Sequence, residues 1–305
     1  MLKTSIIIAS YKRAAQLAVT LRRLPVKPMQ DFGAELILVG SAPDDATAAV
    51  FKQYGDTVSF PVKWAMASDP GFVHAQNVGI SMSDGDLIVF TDDDCYMDEN
   101  YLTILHDKFD PKVFQYGSGE IGRASRDYDW GVAHTEWWSF KEEGAILRPR
   151  SFISPGFIQG ANMFFLREVL AATGGVRKVG PIDSNDAMTA HLASQAGYTG
   201  VMLRGPKVYH DHGRKANTPE AEHVKDMYAV VTGAYFAQLA ASGGKDFFQY
   251  WQDRLPEPSD TTELRRLGLA LGAFAEEIAW MQEARATQSQ NPHYSPRFSY
   301  TLAKA

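Results

Sequence analysis

A short aliphatic run, apolar on both alternating faces, restricts this chain most, because it recurs behind a helical pattern about thirty residues on. Ser5-Ile6-Ile7-Ile8-Ala9-Ser10 offers apolar side chains to both sides, which suits a strand covered on both faces. Ala14, Leu17, Leu21 and Leu24 follow at helical spacing, and Pro25 stops the pattern. Glu35 to Gly40 reads as the next strand, at the repeat length of a βαβ unit. Val62 to Ala67 is a weaker third strand, Val73 to Met82 a helix and Asp86 to Phe90 a fourth strand. Strands alternating with helices make an α/β chain with a Rossmann-like, mostly parallel sheet and helices on both faces. Such sheets bind ligands beyond the carboxyl ends of their strands, so functional residues are expected after Ile8, Val39 and Phe90.

From Val113 to Lys215 the pattern is mixed. It closes with Gly200 to Leu203 and Lys207 to His210, read as two strands around a Gly205-Pro206 turn. Thr218 and Pro219 then offer an N-cap and first helical position, with Val224, Met227, Tyr228, Val231 and Tyr235 as one stripe. Asp260 and Glu263 open a second helix whose expected core face is Leu264, Leu267, Leu271, Phe274, Ile278 and Met281. The 305 residues carry 30 Lys+Arg against 36 Asp+Glu, a formal charge of −6, which argues against a nucleic-acid partner. The single cysteine, Cys95, has no internal partner, so a reducing cytoplasm is expected. The apolar run at Thr4 is cut off by Tyr11-Lys12-Arg13, unlike a signal peptide, and no stretch approaches the roughly 18 apolar residues of a membrane span. Peripheral contact with the inner face of the membrane stays open.

Several groups could carry chemistry. Phe90-Thr91-Asp92-Asp93-Asp94 runs a hydrophobic strand straight into three carboxylates. They would suit a hard cation, Mg2+ or Mn2+, completed by substrate phosphates; a solvated acidic turn is the plainer alternative. In His210-Asp211-His212 the histidines point the same way on a strand, able to reach one metal or merely to hydrogen-bond in a loop. Ile182-Asp183-Ser184-Asn185-Asp186 precedes a helix through Met188, Leu192 and Ala196. Its acids either favour the helix dipole or supply a rigid general base, and the two roles are compatible. Gly117-Ser118-Gly119-Glu120-Ile121-Gly122 matches the dinucleotide glycine pattern, yet Arg123 to Gly131 carries no apolar helical stripe, so a flexible loop is expected. Cys95 reads as a small packing residue. Trp137 and Trp138, with Tyr128 and Trp130 nearby, suit either an aromatic stacking platform or ordinary packing.

In this order the pieces resemble family 2 glycosyltransferases of the GT-A fold, over about residues 4 to 215. Ser5 to Arg13 looks like the family's first strand and turn, and Glu35 to Thr47 like its second strand and loop. Gly71-Phe72-Val73-His74-Ala75-Gln76-Asn77-Val78-Gly79 looks like its Gly-x-x-x-Ala-Arg-Asn-x-Gly helix, and Asp84 to Asp94 like the strand ending in Asp-x-Asp. Gly160 to Phe165 and Thr173 to Val176 resemble the acceptor-side segment, Asn185-Asp186 its Glu-Asp position, and Gly197-Tyr198 with Val208 to His210 the closing part. The resemblance implies a domain over 1–215, with a nucleotide-sugar half at 1–120 and an acceptor half at 121–215. A helical extension at 216–286 and a tail at 287–305 follow.

The resemblance also implies roles. Ser10, Tyr11, Arg13, Asp92 and Asp93 would line the nucleotide site. Asp94, His210 and Asp92 would hold Mn2+ or Mg2+, with His212 the fallback. Asp186 would be the catalytic base, and Trp137, Trp138 and Asn162 would face the acceptor. The donor would be a nucleotide-diphosphate sugar, UDP-linked by preference; the acceptor a glycan, lipid-linked sugar or protein; and a homodimer is open. Three positions depart from the family. Gly40-Ser41 stands where an aspartate is usual, leaving Asp44 or Asp45 to replace it. Gln76 stands for the arginine, and Asn185 for the glutamate. These departures motivate a competing reading as an inactive nucleotide-binding scaffold, and a sugar-nucleotide pyrophosphorylase is the other alternative. The Gln-x-x-Arg-Trp signature of processive synthases is absent from the sequence.

Overall fold

The computed structural model describes residues 2–123, 144–179, 185–211 and 217–290, the side chains of 285–290 excepted. Trp130, Trp137, Trp138, Tyr128, Asp183, His212 and the tail beyond 290 lie outside these residues. The chain divides into two compact units, residues 1–177 with 185–216 and residues 178–184 with 217–305.

The first unit is built on β1 (Thr4–Ser10), whose seven residues are all buried, as its two-sided apolar pattern requires. Helices α1 (Ala14–Arg22) and α2 (Val26–Asp31) follow, separated at Pro25. Then come β2 (Glu35–Gly40), α3 (Asp45–Gly55), β3 (Val62–Met66), α4 (Phe72–Met82) and β4 (Leu87–Asp92). The order β3-β2-β1-β4 is parallel throughout. Helix α4 lies close on β1, since a Cβ at Gly79 would stand 2.6 Å from Ile7 Cγ2. Beyond β4 the sheet is mixed. The antiparallel β8 (Asn162–Leu166) lies beside β4, followed in space by β6 (Tyr116–Arg123), β9 (Gly200–His210) and β5 (Cys95–Met97). A short β7 (Ile146–Leu147) also pairs with β9. Helices α5 (Tyr101–Lys108), α6 (Arg167–Thr173) and α7 (Asp186–Gln195) complete the unit.

Two expectations are overturned here. Gly117 to Gly122 is strand, not loop. Its glycines answer close approach: a Cβ would come within 2.3 Å of Val201 O at Gly117 and of Pro206 O at Gly119. The segments around Gly205-Pro206 are one strand, not two, because the chain bulges instead of turning. The β6–β9 register shifts between Ser118 and Glu120, and Gly205 takes φ +112°, which a glycine tolerates.

The second unit holds α8 (Pro219–Ala241), α9 (Asp246–Gln252) and α10 (Thr261–Gln290). Thr218 caps α8 by accepting from the Ala221 amide. The expected core face of α10 is corrected in part. Leu267, Phe274, Ile278 and Met281 are part-buried, with Phe274 against Phe247 and Trp251. Leu264 and Leu271, however, are 40% and 48% exposed, and the fully buried residues include Arg266, Ala270, Ala273 and Glu277. The reason is proximity: a Cβ at Gly233 of α8 would stand 1.9 Å from Ala270 O, so small residues must meet there. Polar groups fix the same face, with Arg266 bound to Glu222 and Asp226 and Gln238 donating to Glu277. Among the described residues no helix is long and apolar enough to cross a membrane.

Candidate active site

The site forms where β1 and β4 end side by side. Parallel pairing sets Asp92 level with Ala9, so the three aspartates emerge beside Ser10. After a tight turn at Asp93-Asp94 the chain re-enters the sheet as β5, which pairs Cys95 with His210. The Asp211 amide donates to Asp94 O at 2.8 Å, tying the end of β9 to the same turn. Local chemistry holds the turn. Ser10 Oγ donates to Asp93 at 2.6 Å, Arg13 reaches Asp93 at 2.7 Å and Asp94 at 2.8 Å, and Thr20 Oγ1 donates to Asp93 O at 2.6 Å. His210 Nε2 stands 3.1 Å from Asp94 Oδ1.

The three carboxylates are unequal. Burial pushes Asp93 up to about 6 although Arg13 and Ser10 pull it down. Burial and then the charge of Asp94 push Asp92 up, against His210 and Arg13. For Asp94 burial acts upward too, but His210 and Arg13 overcome it and hold it well below the usual carboxylate range. Among the described residues one guanidinium and one imidazole face three carboxylates, and none hydrogen-bonds the Asp92 carboxylate. Such a deficit of positive charge suits a cation. Asp92, Asp94, His210 and Cys95 each offer a ligand atom, all within 4.8 Å of one another. Two carboxylates and an imidazole fit Mn2+ or Mg2+. The Cys95 thiol fits less well, because sulfur is a soft donor and these hard cations prefer oxygen ligands.

Other expected site residues stand as follows. Tyr11 is half exposed at the end of β1, and Lys12 takes a left-handed φ of +53° in the turn into α1. Asp93 is buried with both oxygens engaged by Ser10 and Arg13, so it shapes the turn. Asp186 opens α7, half-buried, with Oδ2 accepting from the Gly160 amide at 3.2 Å and Oδ1 from the Ala187 amide at 2.7 Å. Asn162 is corrected. Expected on the acceptor side, it is fully buried, accepting from Tyr101 Oη at 2.7 Å and donating to Glu120 O and Pro206 O at 2.8 and 2.9 Å. Its amide fills the break in the β6–β9 ladder, and no acceptor can reach it.

The end of β2 offers no side chain to a ligand at position 40, because Met66 packs where a Cβ would stand. Ser41 is buried and accepts from the Gly71 amide at 3.0 Å. Asp44 caps α3 by accepting from the Thr47 amide at 3.1 Å. Sequence reasoning missed Thr20, and it missed Tyr96, which donates to Asp211 at 2.7 Å beside His210. A threonine on the inner face of a helix carries no local signal of its partner. It also missed that the departures at Gln76 and Asn185 meet: both are buried, and the Asn185 amide donates to Gln76 Oε1.

Residues 5–174 match the family model described as glycosyl transferase family 2. No curated protein sequence matches the chain significantly. Among solved structures, the chain resembles a mannosyltransferase from Pyrobaculum calidifontis in complex with GDP-Man and Mn2+. The TM-score is 0.59 at 18% identity, covering 95% of this chain and 81% of that one. It also resembles residues 1–349 of TarS from S. aureus, with a TM-score of 0.54 at 16% identity over 90% of this chain and 81% of that one. At such identities the likeness is one of fold, the GT-A arrangement.

Proposed function

The chain belongs to glycosyl transferase family 2, and we propose that it is a non-processive, metal-dependent hexosyltransferase that inverts the anomeric carbon of a nucleotide-diphosphate sugar. The observation that carries this reading is the cluster of Asp92, Asp94 and His210 at the joined ends of β1 and β4. These three residues would hold Mn2+ or Mg2+. When bound, the ion offsets the negative charge that grows on the departing diphosphate. Ser10, Tyr11 and Arg13 border the same strand ends, where a nucleotide binds in sheets of this kind. Arg13 and Asp93 keep the acidic turn in shape, and Asp92 and Asp94 thereby keep their spacing.

Asp186 accepts the proton of the acceptor hydroxyl. That oxygen bonds to the anomeric carbon as the bond to the diphosphate oxygen breaks, and the electron pair leaves with the nucleoside diphosphate. One carboxylate suffices because the leaving group is already activated, and direct displacement inverts the carbon. Support for Asp186 comes from its rigidity: two backbone amides fix both oxygens while the side chain stays part exposed. Resemblance to family members favours a UDP-sugar, whereas the mannosyltransferase neighbour holds GDP-Man. The acceptor is a glycan, a lipid-linked sugar or a protein hydroxyl.

Calorimetric titration with UDP, GDP, dTDP and CDP, each with and without Mn2+, tests the proposal. Tight binding of one nucleotide only with the ion is expected. Binding of none would favour an inactive scaffold. Once the donor is known, Asp186→Asn should abolish transfer and leave nucleotide binding nearly intact; surviving transfer would remove Asp186 as the base.

A further inference from the structure

Helix α4 reaches from the donor strands to the start of α7. On one side it is packed hard on β1 at Gly79. Further along, Asn77 donates to Val176 O at 3.0 Å and accepts from the Val176 amide at 2.9 Å. Gly175 leaves room for this, since a Cβ there would meet Asn77 Oδ1 at 2.3 Å. The preceding residue, Gln76, is only 2% exposed, and its Oε1 accepts from the side-chain amide of Asn185, itself 3% exposed. Asn185 is the N-cap residue of α7 and makes no side-chain cap to its own helix. Its amide is turned away from the helix it precedes and spent on α4, 109 residues away in sequence. A buried amide pair of this kind is directional, and losing one partner strands the other.

We propose that Gln76 is a positioning residue for sugar transfer. Through Asn185 it fixes where α7 begins, and so where the Asp186 carboxylate stands relative to the strand ends that carry Asp92 and Asp94. The inference rests on Asp186 being the base, but its geometric part can be read without any substrate. The helix that packs on β1 also grips the residue before the base, so the two halves of the reaction share one ruler. The pair is neutral, so it transmits position without adding a charge beside the base.

Amide hydrogen exchange of the full chain tests the placement. Gln76→Leu should raise exchange at Gly160 and Ala187, whose amides bond Asp186, by about tenfold or more, with Ile7 and Phe90 unchanged. The reciprocal exchange Gln76→Asn with Asn185→Gln keeps an amide pair of the same combined length. It should restore protection to within about twofold, whereas Gln76→Asn alone should not. Unchanged exchange at Gly160 and Ala187 in Gln76→Leu, or no rescue by the reciprocal pair, overturns the inference. Where Gln76→Leu fails to fold, Gln76→Asn against the reciprocal pair decides the matter. Turnover of GDP-mannose or UDP-glucose with Mn2+ separates the two readings. Gln76→Leu should lower kcat about tenfold and leave the donor KM unchanged. If Asp186→Asn turns over normally, the base assignment fails, whatever the exchange data show. If Asp186→Asn is inactive but Gln76→Leu keeps full kcat, the positioning role fails alone.

Discussion

Arg13 grips two carboxylates of the acidic turn at once, and that economy sets what single substitutions will do at the site. Asp94 is the carboxylate shared by Arg13 and His210, and it is held ionised by both. Asp94→Ala should therefore weaken Mn2+-dependent nucleotide binding by about tenfold or more, roughly 1.4 kcal/mol, read by calorimetry. Unchanged affinity would remove Asp94 from the proposed metal site. At the far end of the strands Glu35 does structural work. It is buried, accepts from Ser5 Oγ and from the Asp84 amide, both at 2.5 Å, and lies 3.0 Å from Lys63 Nζ. Burial alone would raise its pKa, but Ser5, Asp84 and Lys63 bring it below 4.5. A depressed carboxylate stabilises the fold above its unfolded pKa, and that contribution is lost as pH falls through the folded value. Glu35→Gln keeps the first two bonds and sets an amide against Lys63. It should cost about 1–2 kcal/mol at pH 7, discounted for the partial exposure of Lys63, and less near pH 3. Urea unfolding at the two pH values checks this; an equal loss at both would sink the assignment.

Among the elements, β2 was legible to the residue because both its faces are apolar and Gly40 ends it. Strand β4 runs past the expected Phe90 to Asp92, since backbone pairing with Ala9 continues under a side chain that no hydrophobic pattern would include. Strand β6 was hidden by its glycines. Their purpose shows only when Val201 and Pro206 arrive from β9 to occupy the space of a Cβ. The bulge in β9 needs Asn162 to satisfy Glu120 O and Pro206 O. Asn162→Ala leaves those carbonyls and Tyr101 Oη unpaired in the interior. It should cost about 2–4 kcal/mol of stability, measured by chemical unfolding. A variant of wild-type stability would show the bulge closes without it. In the second unit Gly233→Ala forces α8 off the Ala270 backbone. A loss of about 1–3 kcal/mol is expected, seen as an earlier melting transition in the helical circular dichroism signal. No shift would mean the two helices do not meet at Gly233.

For the molecule as a whole, ligand linkage gives the broadest check. A nucleoside diphosphate with Mn2+ at about 100 times its Kd should stabilise the folded chain by roughly 2.7 kcal/mol, and EDTA should cancel the gain. Thermal scans with neither ligand, either one and both will show whether ion and nucleotide act together; additive effects would argue against one shared site. The sequence alone determined the parallel strand frame, the family and the order of the chemical groups. Two-sided apolar strands admit few arrangements, and the Asp92 to Asp94 cluster follows one of them directly. The partnerships across long separations emerge only in the folded chain. They include Arg13 with two aspartates, Asn185 with Gln76, Asn162 within the bulge, and the small polar face of α10 against Gly233. Local pattern reports which residues must leave water. It does not report which buried polar group meets which, because that depends on how close two backbones come and on which side chain then fits between them.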